Sequence, residues 1–162
     1  MIAMKNMNQC AEEAVFFRFE EDFIGDGIRC IPMIVRFKLD ACGIKLKLSE
    51  WSRMTSEQRM YLAEAGCSTL AELIGYREYL YRTVVQLTDE PPTLIPVEEN
   101  PAWSRKEEIP YPVKERLQEI SLKPDLSQWQ QLTDLQRFAL LKLSYSGHEH
   151  RNFRKALVEF EF

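Results

Sequence analysis

Leu126-Ser-Gln-Trp-Gln-Gln-Leu-Thr-Asp-Leu-Gln-Arg-Phe-Ala-Leu140 is the strongest helical segment of the chain, and the chain carries it twice. Leu48-Ser-Glu-Trp-Ser-Arg-Met-Thr-Ser-Glu-Gln-Arg-Met-Tyr-Leu62 matches it without a gap. Setting Trp51 on Trp129 fixes an offset of 78 residues, and the match runs back to Ile31-Pro32 against Ile109-Pro110. Over residues 31–62 there are 12 identical pairs in 32 positions, among them Trp51/Trp129, Thr55/Thr133, Gln58/Gln136 and Arg59/Arg137. Ordinary residue usage would give about two or three by chance. One deletion extends the match, setting Tyr76-Arg-Glu-Tyr-Leu80 on Phe153-Arg-Lys-Ala-Leu157. A self-match at a fixed period speaks first about architecture. It predicts an all-α fold of two related helical units, residues 31–80 and 109–157.

Outward from this repeat, each copy reads the same way. Pro32 and Pro110 sit near helix starts, where the missing N–H costs nothing. Val35, Leu39 and Cys42 form an i, i+4, i+7 stripe, and Gly43 is placed to end that helix in the left-handed region. Ser49–Met54 and its counterpart form a short helical turn carrying a tryptophan. Thr55-Ser-Glu-Gln58, Thr69-Leu-Ala-Glu72, Ser127-Gln-Trp-Gln130 and Thr133-Asp-Leu-Gln136 have the spacing of capping boxes, as does Ser146-Gly-His-Glu149. The helix after Thr69 is expected to turn Leu70, Leu73, Ile74, Leu80, Val84 and Leu87 inward. Phe138, Leu140, Leu141 and Leu143 make the helix after Thr133 central. Phe153, Leu157 and Phe160 are the core face of the last helix.

Two regions lie outside the copies. Residues 88–108 hold Pro91, Pro92, Pro96 and Pro101, a density that forbids a helix and predicts a Pro-rich crossover. Trp103 within it is expected to pack on the body. Residues 1–15 read as a flexible tail ahead of a single globular domain, 16–162. Phe17 and Phe19 alternate with charged neighbours, as in a short extended N-terminal strap. Phe16, Phe17, Phe19 and Trp103 are the candidate partner-binding residues; the competing reading makes the strap a cover for the helix seam.

Composition narrows the function classes. Hydrophobic residues are 45% and charged residues 28%, as in ordinary globular proteins. The net charge of −4 and the lack of any large Lys/Arg cluster speak against nucleic acid. No apolar run reaches membrane-span length. Cys10, Cys30, Cys42 and Cys67 have neither zinc nor disulfide-framework spacing, so reduced thiols in a cytoplasmic protein are expected. His148 and His150, with Glu149 and Asn152, are the one cluster of catalytic type, but two residues' separation puts the histidines on different helix faces. Arg59 and Arg137 admit two readings, an anion clamp or a fork tying helices together through carbonyls. No catalytic, cofactor-binding or metal-ligating residue is assigned, and no cofactor is expected.

Several stretches resemble one family. Phe16-Phe-Arg-Phe-Glu20, Arg29-Cys-Ile-Pro-Met33, Lys38-Leu-Asp-Ala-Cys-Gly-Ile-Lys-Leu-Lys-Leu-Ser49, Asn100-Pro-Ala-Trp103 and His148-Glu-His-Arg-Asn-Phe153 fall in order. So do Tyr76-Arg-Glu-Tyr-Leu80 and Leu132-Thr-Asp-Leu-Gln-Arg-Phe-Ala-Leu140. Together they resemble the nitrate-reductase-associated protein family over about residues 16–160. That family is cyanobacterial for the most part and linked by gene neighbourhood to nitrate assimilation. The resemblance implies a non-enzymatic accessory factor that assists assembly, maturation or activation of molybdenum-dependent nitrate reductase by protein–protein contact. The implied partner is nitrate reductase or its maturation machinery. A small-molecule binder using Arg59 and Arg137, and a small enzyme using the His148 cluster, are the alternatives.

Overall fold

Three threonines open the helices that the sequence marks most firmly. The structure, a computed structural model, describes residues 16–25, 27–145 and 150–162, without the side chains of Phe23 and His150. The tail 1–15, the Ser146–Glu149 cap and His148 therefore lie outside the described residues. Thr55, Thr69 and Thr133 each accept a backbone N–H from the residue three positions on, at 3.2 Å. Gln58, Glu72 and Gln136 return the bond to the threonine N–H at 2.8–2.9 Å. Two orphan donors at each helix start are so satisfied reciprocally. The amides of Thr69 and Ser68 also hold the Glu72 carboxyl below its ordinary range.

The fold is mostly helical, and its contacts gather into two compact units, Met1–Glu99 and Asn100–Phe162. The first unit begins with a 3-10 turn, Arg18–Glu20, and runs through α1 (Glu21–Ile24), α2 (Met33–Cys42) and β1 (Ile44–Lys45). It continues with α3 (Leu48–Arg53), α4 (Ser56–Glu64), α5 (Leu70–Thr88) and β2 (Thr93–Leu94). The strands pair antiparallel, Ile44 opposite Leu94. Helix α2 packs on α4 and α5, and α3 on α5. Val35, Ile44, Trp51, Leu62, Leu80 and Val84 are among its fully buried side chains.

The second unit opens with a 3-10 turn, Ala102–Ser104, followed by α6 (Tyr111–Glu119), α7 (Leu126–Gln131), α8 (Asp134–Tyr145) and α9 (His150–Glu159). Helix α8 is central, packing on α6, on α9 and on the 3-10 turn. Phe138, Leu140 and Leu143 are buried on it, and Phe153 and Leu157 on α9 and Phe160 just beyond it are buried, as their spacing predicts. Pro110 stands as N-cap of α6, and Pro32 as N-cap of α2. The break between the units falls inside the Pro-rich segment, which contributes β2 to one unit and the Ala102–Ser104 turn to the other.

Three local expectations are corrected. The N-terminal stretch is not an extended strap beyond Phe17. The Glu20 carboxylate accepts the Phe17 N–H at 3.2 Å and the Met33 N–H at 2.8 Å. It closes a turn and caps α2 at once, and a carboxylate at a helix N-terminus is also favoured by the macrodipole. Helix α5 does not bury Leu70 and Ile74, which are exposed; it buries Leu73, Tyr76, Leu80, Thr83 and Val84. Tyr76 sets this rotation, its hydroxyl donating to the Leu62 carbonyl at 3.0 Å. Helix α7 is capped by Asp125, not Ser127: the carboxylate accepts the Ser127 and Gln128 amides. The Ser127 hydroxyl and these amides hold the Asp125 carboxyl below its ordinary range.

Gly43 ends α2 at φ 69°, and a Cβ there would stand 2.9 Å from the Ile95 carbonyl oxygen and 3.0 Å from Val97 Cγ2. The left-handed region costs an L-residue about 1–2 kcal/mol, and the carbonyl is backbone that cannot step aside. Gly43→Ala is expected to destabilise the protein by more than about 2 kcal/mol. Urea midpoints check this, and a shift in the range of an ordinary surface substitution would refute it.

Candidate functional site

Both tryptophans of the repeated segment are fully buried, and each indole finds a carbonyl in the stretch ahead of its unit's first long helix. Trp51 Nε1 donates to the Ile28 carbonyl at 2.8 Å. Trp129 Nε1 donates to the Arg105 carbonyl at 2.9 Å. The two arginines act on the same stretches. Arg59 Nη1 donates to the Gly27 carbonyl at 2.7 Å, while its Nε and Nη2 reach the carbonyls of Trp51 and Ser52 at 3.1 and 3.0 Å. Its guanidinium also lies over the Trp51 ring, 5.7 Å from the centroid. Arg137 Nε donates to the Trp103 carbonyl at 2.8 Å, Nη1 to the Leu132 carbonyl, and Nη2 to the Asp134 carboxylate. Each arginine is therefore a fork that ties a loop to helix ends through carbonyls.

The two forks differ in electrostatics. Arg137 is 0% exposed and ion-paired with Asp134. Burial pulls its guanidinium below the ordinary arginine value, and Asp134 opposes that pull. The residue corresponding to Asp134 in the first copy is Ser56, and among the described residues Arg59 has no carboxylate partner. Arg59 is half-buried.

A second matched pair was missed by sequence reasoning. Lys38 is buried on α2, and its Nζ donates to the carbonyls of Ala63 and Ala65 at 2.6 and 2.8 Å, at the end of α4. Arg116, 78 residues later, donates to the Ser144 carbonyl at the end of α8. Cations there satisfy orphan carbonyls and complement the helix dipole. The signal was a cation at corresponding positions of two otherwise apolar helix faces.

The aromatic candidates are placed unequally. Phe17 and Phe19 are 5% exposed, their rings stacked at 5.3 Å. They are buried, so of the two readings of this stretch the burial fits the cover over the helix seam and not an open strip. Phe16 and Trp103 are half-buried, and Trp103 meets Phe138 edge-on at 6.1 Å. The exposed apolar side chains of the first unit lie elsewhere. Leu70, Ile74 and Tyr81 project from α5, and Leu94 and Val97 from the Pro-rich segment. Helical spacing puts Leu70, Ile74, Arg77 and Tyr81 on one face. Arg77 Nη1 and Val97 Cγ2 both lie within 3.5 Å of the Cβ position of Gly43, so the two sets adjoin. Arg77 is fixed at the centre by the Cys42 carbonyl, 2.8 Å away.

Little here resembles reaction chemistry. Burial pushes the Cys42 thiol up to about 11, so at neutral pH it is protonated and inert as a nucleophile. Burial likewise raises the Tyr76 hydroxyl well above its ordinary value, with Cys42 and Cys67 adding to it. Among the described residues no group of three or more His, Cys, Asp or Glu could hold a metal ion, and no helix is long and apolar enough to cross a membrane. The His148–Asn152 cluster falls mostly outside the described residues.

Comparison with known proteins gives one family. A family model described as conserved nitrate reductase-associated protein matches residues 16–160. No curated protein and no solved structure matches the chain.

Proposed function

Because the chain belongs to the conserved nitrate reductase-associated protein family, we propose that it is a non-catalytic accessory factor of nitrate assimilation. It assists assembly, maturation or activation of molybdenum-dependent nitrate reductase by direct contact in the cytoplasm, with no part for nucleic acid or membrane. Family membership carries this reading. The buried, protonated Cys42 and the carbonyl-bound arginines are consistent with it, since neither is arranged for catalysis.

The contact face we assign is the apolar strip of Leu70, Ile74, Tyr81, Leu94 and Val97 around Arg77. Grouped exposed apolar side chains are uncommon on a surface without a partner, and an aromatic, aliphatic and arginine mixture is what protein contacts favour. We further propose that the two units arose by duplication of one helical unit, are joined through the Pro-rich crossover 88–108, and work as one domain. The matched Trp, Arg and Lys38/Arg116 bonds support this.

A strain lacking the protein is expected to grow on ammonium and to lose most nitrate reductase activity. The wild-type protein should restore that activity; the double variant Ile74→Glu, Val97→Glu should not, while its circular dichroism stays native. Full rescue by the folded double variant would remove this face from the proposal. Undiminished activity in the deletion strain would remove the accessory role. A second reading, a small anion bound at Arg59, is favoured by one observation only, the absence of a carboxylate beside that guanidinium among the described residues.

A further inference from the structure

We infer that one face of α5 is self-complementary, and that through it the chain pairs antiparallel with a second copy of itself. Leu70, Ile74, Arg77, Glu78, Tyr81 and Val85 lie within about 100° of the helix circumference at 3.6 residues per turn. All are exposed except Val85, which is half-buried. Along the helix their order is apolar, apolar, cation, anion, aromatic, apolar. Reversing the helix about a twofold axis between Arg77 and Glu78 lays this order on itself. Leu70 then faces Val85 of the second copy, Ile74 faces Tyr81, and Arg77 faces Glu78. A twofold contact consists of such reciprocal pairs, each made twice.

The charges select this occupant. Arg77 Nη1 donates to the Cys42 carbonyl at 2.8 Å, which fixes the guanidinium in the row. Among the described residues neither Arg77 nor Glu78 stands in an ion pair. Arg82, one turn on from Glu78, donates its Nε to the Glu78 carbonyl and not to the carboxylate. A purely apolar ligand would bury both charges unpaired, and a ligand of one charge would be repelled by one of them. A reversed copy of the same row neutralises both. Leu94 and Val97 extend the surface, because Val97 and Arg77 meet at Gly43 beside the twofold centre.

This pairing covers the side chains assigned above to the partner enzyme, so the second copy and the enzyme exclude one another. That exclusion rests on the accessory role; the pairing does not.

Analytical ultracentrifugation of the full chain tests the pairing. The wild-type chain is expected to dimerise with a micromolar dissociation constant. Glu78→Arg sets arginine against arginine at both central contacts and should raise that constant about tenfold or more. Arg77→Glu sets glutamate against glutamate and should do the same. Mixed in equal amounts, the two variants should pair with each other, since every central contact then joins a cation to an anion. The double variant Arg77→Glu, Glu78→Arg should dimerise like the wild type. Arg77→Glu also gives up the Cys42 carbonyl, so circular dichroism accompanies each variant. Ile74→Glu and Tyr81→Lys repeat the experiment at two exposed positions: each alone should dissociate, and their mixture should recover. A monomeric wild type would overturn the proposal. So would a dimer that survives Glu78→Arg and Ile74→Glu unchanged, or dissociation without recovery in either mixture. A monomeric wild type, with rescue lost in Ile74→Glu, Val97→Glu, would leave the face to the enzyme alone. A dimer whose deletion costs no nitrate reductase activity would keep the pairing and remove the accessory role.

Discussion

Arg137→Met is expected to cost about 3–5 kcal/mol, as for other buried ion pairs broken from one side. The guanidinium is out of solvent, and its three nitrogens serve Trp103, Leu132 and Asp134. Methionine fills part of the volume but returns none of these bonds. Two carbonyls and a carboxylate would then keep their desolvation cost without a donor, at about 1–3 kcal/mol for each buried neutral group. Arg59→Met is expected to cost less, about 1–2 kcal/mol, because its site is half-buried and water can reach part of what the side chain leaves. Urea midpoints with unchanged slopes decide the matter. Equal losses at the two positions would show that burial and the Asp134 pair do not distinguish the forks.

The difference in burial was beyond the sequence, where Arg59 and Arg137 follow the same capping glutamine, although Asp134 against Ser56 was there to be read. What was legible was local. Thr55/Gln58, Thr69/Glu72 and Thr133/Gln136 specify caps within four residues, and Gly43 ends a helix by its own conformational freedom. The family was legible too, because it is spelled in short motifs. What was not legible was set across longer separations. Glu20 turns the Phe17 stretch because its carboxylate finds Met33, 13 residues on. Lys38 is buried because Ala63, 25 residues on, offers a carbonyl. For α5 both Leu70 and Ile74 on one side and Tyr76 and Thr83 on the other fit a helical stripe. The choice fell to the Tyr76 hydroxyl and its bond to Leu62, which no hydrophobic count weighs. The same misreading hid the exposed strip: residues that looked like core by type became the candidate contact face, while Phe17 and Phe19, open to reading as a docking strip or as a cover, are buried.

Trp129→Ala is expected to cost about 3–5 kcal/mol, and Trp51→Ala a similar amount. Both rings are fully buried, both sit on six-residue helices too short to persist alone, and both indoles fasten a loop. Truncation removes a large apolar surface, leaves a cavity and frees the loop carbonyl. Replacement by Phe should separate these losses, retaining most of the packing and forfeiting mainly the hydrogen bond, about 1 kcal/mol. How the loss appears bears on the proposal that residues 16–162 work as one domain. If they do, each Ala variant shifts a single unfolding transition, and fluorescence and circular dichroism report the same midpoint. If the units unfold separately, Trp129→Ala lowers only the transition of Asn100–Phe162 and Trp51→Ala only the other. Losses that differ by more than about 2 kcal/mol between the two tryptophans, wider than the range of about 3–5 kcal/mol that such truncations span, would argue that their matched bonds do not reflect matched roles.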